Sequence, residues 1–358
     1  MKKAIITFLA CAFPFVARAN YLDDAAAAWS TMLPVPAAQQ PFATRLAAAA
    51  NPTSFMDMVS VLAYNPSALT IYEAQTHLDN SMSILHDAPR PKDDYFKLSG
   101  KFLGGWSSFD SKENGNFRTD RLGGAADISM RIKQESAFVF GGAWTTSKIN
   151  ESTLQNRAQS ASAAIGAKFG FNNGFFNIGA AAGFTNWSLD KNIAGLEDSS
   201  DYRSFFYSER ISTGYAFRPT QATFIVPEVG AEYFNLNTDS QTDTALQNFN
   251  RWTYRAASIT GDLKIGTQFD VADLLVQPEF KLGGSYDVYQ GGSSDIGVVL
   301  INGAAYAIPT ERPGRLGFNS SAGIFVGTSS FLVGAEYGII ARDGFTAHTI
   351  SGKIRLAF

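Results

Sequence analysis

Beyond Tyr95 the hydrophobic and polar positions of the chain alternate with period two, in segment after segment. Phe96, Leu98, Gly100, Phe102, Gly104 and Trp106 share one parity, while Lys97, Ser99, Lys101 and Ser107 share the other. Leu122, Gly124, Ala126, Ile128, Met130 and Ile132 oppose Arg121, Asp127, Ser129 and Arg131 in the same way. The last stretch sets Ile350, Gly352, Ile354, Leu356 and Phe358 against Ser351, Lys353 and Arg355. Side chains on a β-strand point alternately to its two faces, so each segment predicts a strand whose faces meet different surroundings. Runs near residues 161–171, 176–186, 223–233, 253–269, 274–288, 315–326 and 331–342 repeat the split. These runs exceed an ordinary soluble strand and suit the roughly nine to eleven tilted residues that cross a bilayer.

The connections predicted between these runs alternate in length. Short ones fall at 133–135, 172–174, 218–221, 270–273 and 327–329; longer polar ones fall at 110–116, 147–156, 189–201, 235–250, 290–313 and 342–344. Tight turns at one end and long loops at the other are the outer-membrane barrel pattern, with the turns in the periplasm. The spacing therefore predicts an all-β chain forming an antiparallel transmembrane barrel of about twelve strands. Residues 296–308 also look strand-like, but a spanning strand there makes the count odd, so they are expected in a surface loop. Trp106, Trp144, Trp187 and Trp252 fall near the long-loop ends, and Phe96, Phe171, Phe217, Phe269, Phe331 and Phe358 near the turn ends. Both sets are expected in the aromatic belts of the two membrane interfaces. One position breaks the pattern. Glu209 shares the parity of Phe205, Tyr207, Ile211 and Tyr215, so a carboxylate is expected on the lipid face, at a cost of about 1 kcal/mol or more.

Ahead of the barrel, Lys2 and Lys3, an apolar run over 4–16 and Ala17-Arg18-Ala19 read as a secretory signal, residues 1–19, cleaved before Asn20. The one cysteine, Cys11, lies inside it, so no disulfide or thiol chemistry is expected of the mature chain. A lipoprotein reading of Cys11 stands against a short preceding apolar run. Residues 20–65 form an alanine-rich helical or irregular segment broken by Pro34, Pro36 and Pro41, with a helix predicted over 53–64. A longer helix follows, with Asn65 as cap and Pro66 in its first turn, ending near Asp87 before Pro89 and Pro91. With its linker it makes a unit of residues 66–91, and the barrel takes 92–358. Ile71, Leu78, Met82 and Leu85 form one stripe of this helix; Glu73, His77, Asp79, Asn80 and Asp87 form the polar remainder. At 1.5 Å per residue it spans roughly 33 Å, enough to thread a barrel from rim to rim. Packing outside the barrel is the alternative for such an amphipathic helix.

Net charge is −3, which offers no basic surplus for a nucleic-acid partner. The inward parity carries candidate lumen-lining charges: Lys97, Lys101, Arg121, Arg131, Lys353 and Arg355 on the last, first and second strands, with Glu228, Glu232, Asp262 and Glu279, joined by Asp287, mostly across the bore. Opposed charges would set a transverse field; ordinary internal ion pairing is the alternative. An acyl-transfer site needs a histidine within reach of a serine. His348 and Ser351 alternate to opposite faces, and His77 and His86 are nine residues apart, too far for ligands on adjacent turns. No nucleophile elbow, phosphate loop or zinc signature is present, so no enzyme activity, catalytic residue, cofactor or metal is expected.

The helix ending in YEAQTHLDNSMSILHD, the strand YFKLSGKFLGGW, then VQPEFKLGGSYDVY, FLVGAEYGII and the closing GFTAHTISGKIRLAF, in that order, resemble the translocator barrel of bacterial autotransporters over residues 66–358. The resemblance implies a twelve-stranded outer-membrane barrel with a helix in its pore. It also implies Phe358, Leu356, Ile354 and Ile350 as the C-terminal assembly signal read by the barrel assembly machinery and periplasmic chaperones. Outer-membrane lipid is then the surrounding partner, and a monomeric barrel is expected. Autotransporters usually carry a passenger of several hundred residues, where residues 20–64 stand here, so secretion of a large effector is in doubt. Asp79-Asn80-Ser81 departs from the Asn-Asn pair at which some members cleave the pore helix, and cleavage at Asn80 is not expected. The function expected is translocation or display of the short N-terminal segment and surface loops. A passive small-solute pore and an outer-membrane hydrolase are the alternatives.

Overall fold

The computed structural model describes residues 66–86, 96–111, 115–133, 136–150, 154–193, 196–242, 247–272, 274–300, 305–328 and 330–357. The expected signal, Cys11, the 53–64 helix and Phe358 lie outside the described residues. One helix, α1 (Pro66–His86), precedes the sheet. The strands in chain order are β1 (Phe96–Ser111), β2 (Gly115–Lys133), β3 (Ser136–Asn150), β4 (Leu154–Phe171), β5 (Gly174–Ile193), β6 (Leu196–Tyr215), β7 (Thr223–Thr238), β8 (Gln241–Thr242), β9 (Gln247–Phe249), β10 (Trp252–Thr267), β11 (Phe269–Val271), β12 (Leu274–Gly292), β13 (Asp295–Leu300), β14 (Ala305–Pro309), β15 (Leu316–Gly327), β16 (Phe331–Arg342) and β17 (Phe345–Ala357).

Each of the long strands pairs antiparallel with its neighbours in the chain, β10 pairs with both β7 and β12, and β1 pairs with β17. The ladder thus returns on itself as a closed barrel of twelve strands, which leaves no open edge in the membrane. The alternation sets the faces. Phe102 is 75 % exposed, Leu122 62 % and Val229 61 %, an arrangement that only a hydrocarbon solvent favours. Inward positions such as Ser107, Thr119, Asp127, Ser160 and Thr185 are polar and buried. No helix among the described residues is long and apolar enough to cross a membrane; the strands make the crossing.

The loops differ from expectation. Ser111 pairs with Gly115, Asn150 with Gln155, Ile193 with Leu196 and Arg342 with Phe345, so four connections expected to be long are tight hairpins. Their polar residues belong to strands that run on past the bilayer, where the outer face is wet and the inner face buries Phe109, Phe117, Ile149, Leu189 and Phe345, so the alternation of the membrane band reverses. Asp343 and Gly344 make the last of these turns, with Gly344 at φ 70, a conformation glycine adopts without strain. The two long connections at this end, 239–251 and 293–315, hold β8, β9, β13 and β14, which form a separate sheet in the order β14-β13-β9-β8. The described parts of 296–308, in β13 and β14, are therefore outside the barrel wall, as the even strand count requires.

The tryptophans also divide. Trp106 and Trp144 are exposed on the outer face, but Trp187 and Trp252 are each 1 % exposed and point inward. Nearness to the loop end does not decide the side; parity does, and Trp187 shares the parity of buried Thr185 and Ala181. Its Nε1 donates to Ser204 Oγ at 2.9 Å, and its ring stacks on Tyr202 at 5.5 Å. Phe96, Phe171, Phe217, Phe269 and Phe331 are all exposed at the turn end.

Candidate functional site: the plugged bore

Helix α1 lies inside the barrel against β2–β6. The wall it meets is built from short hydroxyl side chains, which let the helix backbone approach closely and offer bonds at each turn. Glu73 accepts from Arg121 Nη2 and, at 2.8 Å, from Ser147 Oγ, so its carboxylate is held by a guanidinium and a hydroxyl. Both side chains of this ion pair are 3 % exposed. One turn on, His77 Nδ1 lies 2.8 Å from Thr145 Oγ1 and Nε2 2.9 Å from Ser162 Oγ, while Ser81 Oγ sits 2.7 Å from the same Ser162 hydroxyl. Residues 73, 77 and 81 are four apart and share one helical face, which makes a single polar seam along the wall.

At the loop end the bore is filled. Leu69 and Tyr72 pack in one buried cluster with Phe109, Phe117, Ile149, Trp187, Tyr202 and Phe345. The Tyr72 ring stacks on Phe345 at 4.0 Å. On the side away from the seam a cavity of about 350 Å3 remains, running from Lys168 and Arg218 near the turn end to Ser285 and Arg342 near the loop end. Asp79 faces this cavity from the helix. Its walls are tied by ion pairs: Arg210 to Asp262 at 3.1 Å, Lys281 to Asp262 at 3.5 Å, Lys264 to Glu279 at 2.7 Å and Arg342 to buried Asp287 at 2.9 Å.

The charged positions singled out from parity are placed as follows. Arg121 meets Glu73, and Lys101 Nζ donates to Asn80 Oδ1 at 3.5 Å. Lys353 pairs with Glu336 at 3.0 Å, and Arg355 lies over the Phe325 ring. Glu232 accepts from Ser208 Oγ at 3.0 Å, Glu228 lines the cavity, and Glu279 also accepts from Gln277. Lys97 and Arg131 are half-buried near the turn ends of β1 and β2. The acids do not face the basic strands across an open bore, because Arg210, Lys264, Lys281 and Arg342 neutralise them locally. Parity turns Arg210, Lys281 and Arg342 inward, but the candidate lumen-lining charges leave them out, and Lys264 with them, and Arg342 also opens an expected connection. Sequence reasoning also missed Ser162, whose contact with His77 depends on how a helix docks rather than on any motif. This His–Ser contact lacks an orienting carboxylate, since Nδ1 meets the Thr145 hydroxyl, so it reads as a docking contact. Asn80 Nδ2 donates to Thr76 O at 2.9 Å, which directs the amide back along the helix. His348 faces outward, 2.7 Å from Tyr337 OH and stacked on Trp106. Ile350, Ile354 and Leu356 are exposed on the outer face of β17.

A family model described as the autotransporter beta-domain matches residues 98–338. The chain belongs to the autotransporter family. Among solved structures, the autotransporter barrel is similar to the translocator domain of autotransporter NalP from Neisseria meningitidis, with TM-score 0.64 and 10 % identity over 83 % of this chain and 99 % of that one. The transport unit of the autotransporter AIDA-I from Escherichia coli matches with TM-score 0.55 and 15 % identity, covering 82 % and 99 %. The beta domain of the Bordetella autotransporter BrkA matches with TM-score 0.53 and 14 % identity, covering 74 % and 100 %. At these identities the likeness is one of fold. No curated protein sequence matches the chain. The chain is thus a bacterial outer-membrane β-barrel of autotransporter type.

Proposed function

We propose that this autotransporter barrel translocates or displays the segment ahead of Pro66 at the cell surface. The direction of α1 carries the reading. Ser67 Oγ accepts from the Glu311 backbone N–H at 2.9 Å, and Thr70 Oγ1 lies 3.4 Å from Tyr202 OH, both at the loop end. Farther along, Asn80 reaches Lys101, closer to the turns. The N-terminal end of the helix therefore lies at the outer mouth of the bore and its C-terminal end toward the turns, which supports an outward position for the segment ahead of it. Residues 1–19 serve as the export signal in this reading, and Ile350, Ile354, Leu356 and Phe358 as the signal read by barrel assembly machinery. A protease-sensitive tag placed after Asn20 tests it: cleavage on intact cells supports display, and protection until the outer membrane is permeabilised overturns it.

The cavity beside the helix supports a second reading, a passive pore for small solutes. Planar-bilayer conductance separates the two, since a lumen filled at Tyr72, Phe345 and Trp187 should conduct poorly.

A further inference from the structure

The seam at which the barrel closes is rich in inward-facing bases. β1 turns Lys97 and Lys101 into the bore, and β17 turns Lys353 and Arg355 into it beside them. Lys101 and Lys353 are direct cross-strand partners on this face. Like charges placed directly opposite destabilise the pair that carries them. Neighbours relieve part of this: Asn80 Oδ1 accepts from Lys101 at 3.5 Å, and Glu336 accepts from Lys353 at 3.0 Å. The Lys353 ammonium and the Arg355 guanidinium both lie 5.8 Å from the centre of the Phe325 ring, so two cations crowd one apolar floor.

Among these side chains is a pocket of about 20 Å3, smaller than the cavity beside the helix and distinct from it. Ser99 and Lys101 of β1, Asp127 of β2, Phe325 of β15, and Lys353 and Arg355 of β17 line it. Its volume admits a single occupant of about the size of water. Arg355 Nε is buried, and its N–H meets no acceptor among the described residues. The lining bases outnumber the lining acid by three to one.

These properties narrow the occupant. A water accepts from Arg355 but carries no charge to set between Lys101 and Lys353. A metal cation is repelled by three bases. Phosphate and carboxylate groups have several heavy atoms and exceed the volume. A monatomic anion fits the space, accepts from Arg355 and the Ser99 hydroxyl, and separates the facing ammoniums, each of which carries three donors. We infer that the pocket binds one chloride ion, which joins the first and last strands of the barrel. Asp127 is the lining charge that opposes it and limits the affinity.

The full chain, refolded in detergent and crystallised from bromide in place of chloride, should show one anomalous peak among Lys101, Lys353 and Arg355. In parallel, loss of the folded band on heat-modifiable gels is timed at equal ionic strength in chloride and in gluconate, which is too large for the pocket. Loss is expected to be about tenfold faster in gluconate, because the ion binds only the closed barrel. The two salts should give equal rates in Arg355→Gln. Asp127→Asn removes the opposing charge and should lower the half-protecting chloride concentration about tenfold. If Arg355→Gln fails to fold, the bromide peak and the salt comparison on the wild type still decide. Water alone in the pocket overturns the proposal. A bromide peak without a difference between the salts marks an adventitious ion only and overturns it equally. Chloride dependence that appears only when Asp93→Asn and Asp94→Asn are combined assigns the balancing charge to the chain's own carboxylates, and overturns it as well.

Discussion

The two sides of the bore differ in chemistry although one alternating pattern builds both. Along β3 and β4 the inward side chains that meet the helix are Thr145, Ser147 and Ser162, short and neutral. Across the lumen, β7, β10 and β12 carry Glu228, Glu232, Asp262, Lys264, Glu279 and Lys281. Short hydroxyls let a helix lie close and replace the water they lose with helix side chains. Long charged side chains hold the helix off and keep their surroundings hydrated, because a dry site would leave charges uncompensated. The helix is therefore placed by what one wall lacks as much as by what it offers.

Breaking this asymmetry should have graded effects. Deleting residues 20–86 removes the dry side's partner altogether, and single-channel conductance should rise more than about tenfold over the intact barrel, in keeping with a bore emptied of a helix about 10–12 Å wide. Arg121→Ala should release the helix next most severely, since Glu73 would stay buried without its cation, a loss of about 3–5 kcal/mol. A disulfide between Ser81→Cys and Ser162→Cys reports docking; its yield should fall in Arg121→Ala and recover when Glu73→Gln is added. Ser162→Val strands His77 Nε2, while the Ser81 hydroxyl keeps its bond to His77 O, and should cost about 1–3 kcal/mol, seen as intermittent opening in the same bilayer recordings. On the wet side Lys281→Ala should change stability by less than about 1 kcal/mol, because the lysine is 39 % exposed and screened. It should instead shift the helix-deleted pore toward cations in reversal-potential measurements.

The wall was the most legible part of the fold. Parity placed Phe102, Leu122 and Ile354 outward and Arg121 and Lys353 inward, because two solvents impose two compositions on one strand. The pattern reverses where the outer face is wet and the inner face is packed, and there the hairpins of β5–β6 and β16–β17 read as loops. Trp187 and Trp252 show a different loss: a tryptophan near a rim fits the interface belt or an inner cluster equally well by residue type, and only strict counting separates them. The docking seam was least legible. Glu73, His77 and Asn80 stood out as a polar face, yet nothing local couples His77 to Ser162, 85 positions away.

Closure of the cylinder joins Lys97 to Ala357 and Phe109 to Phe345, residues far apart in the chain. Until β17 has left the ribosome and crossed the inner membrane, β1 has nothing to receive it, and every earlier state of the sheet exposes two unsatisfied borders. Contacts this distant in sequence form slowly and reward the chain only at the end. The closing seam is therefore the last part of the wall to form, and the interval in which its borders stand open is set by the time taken for its first and last strands to meet.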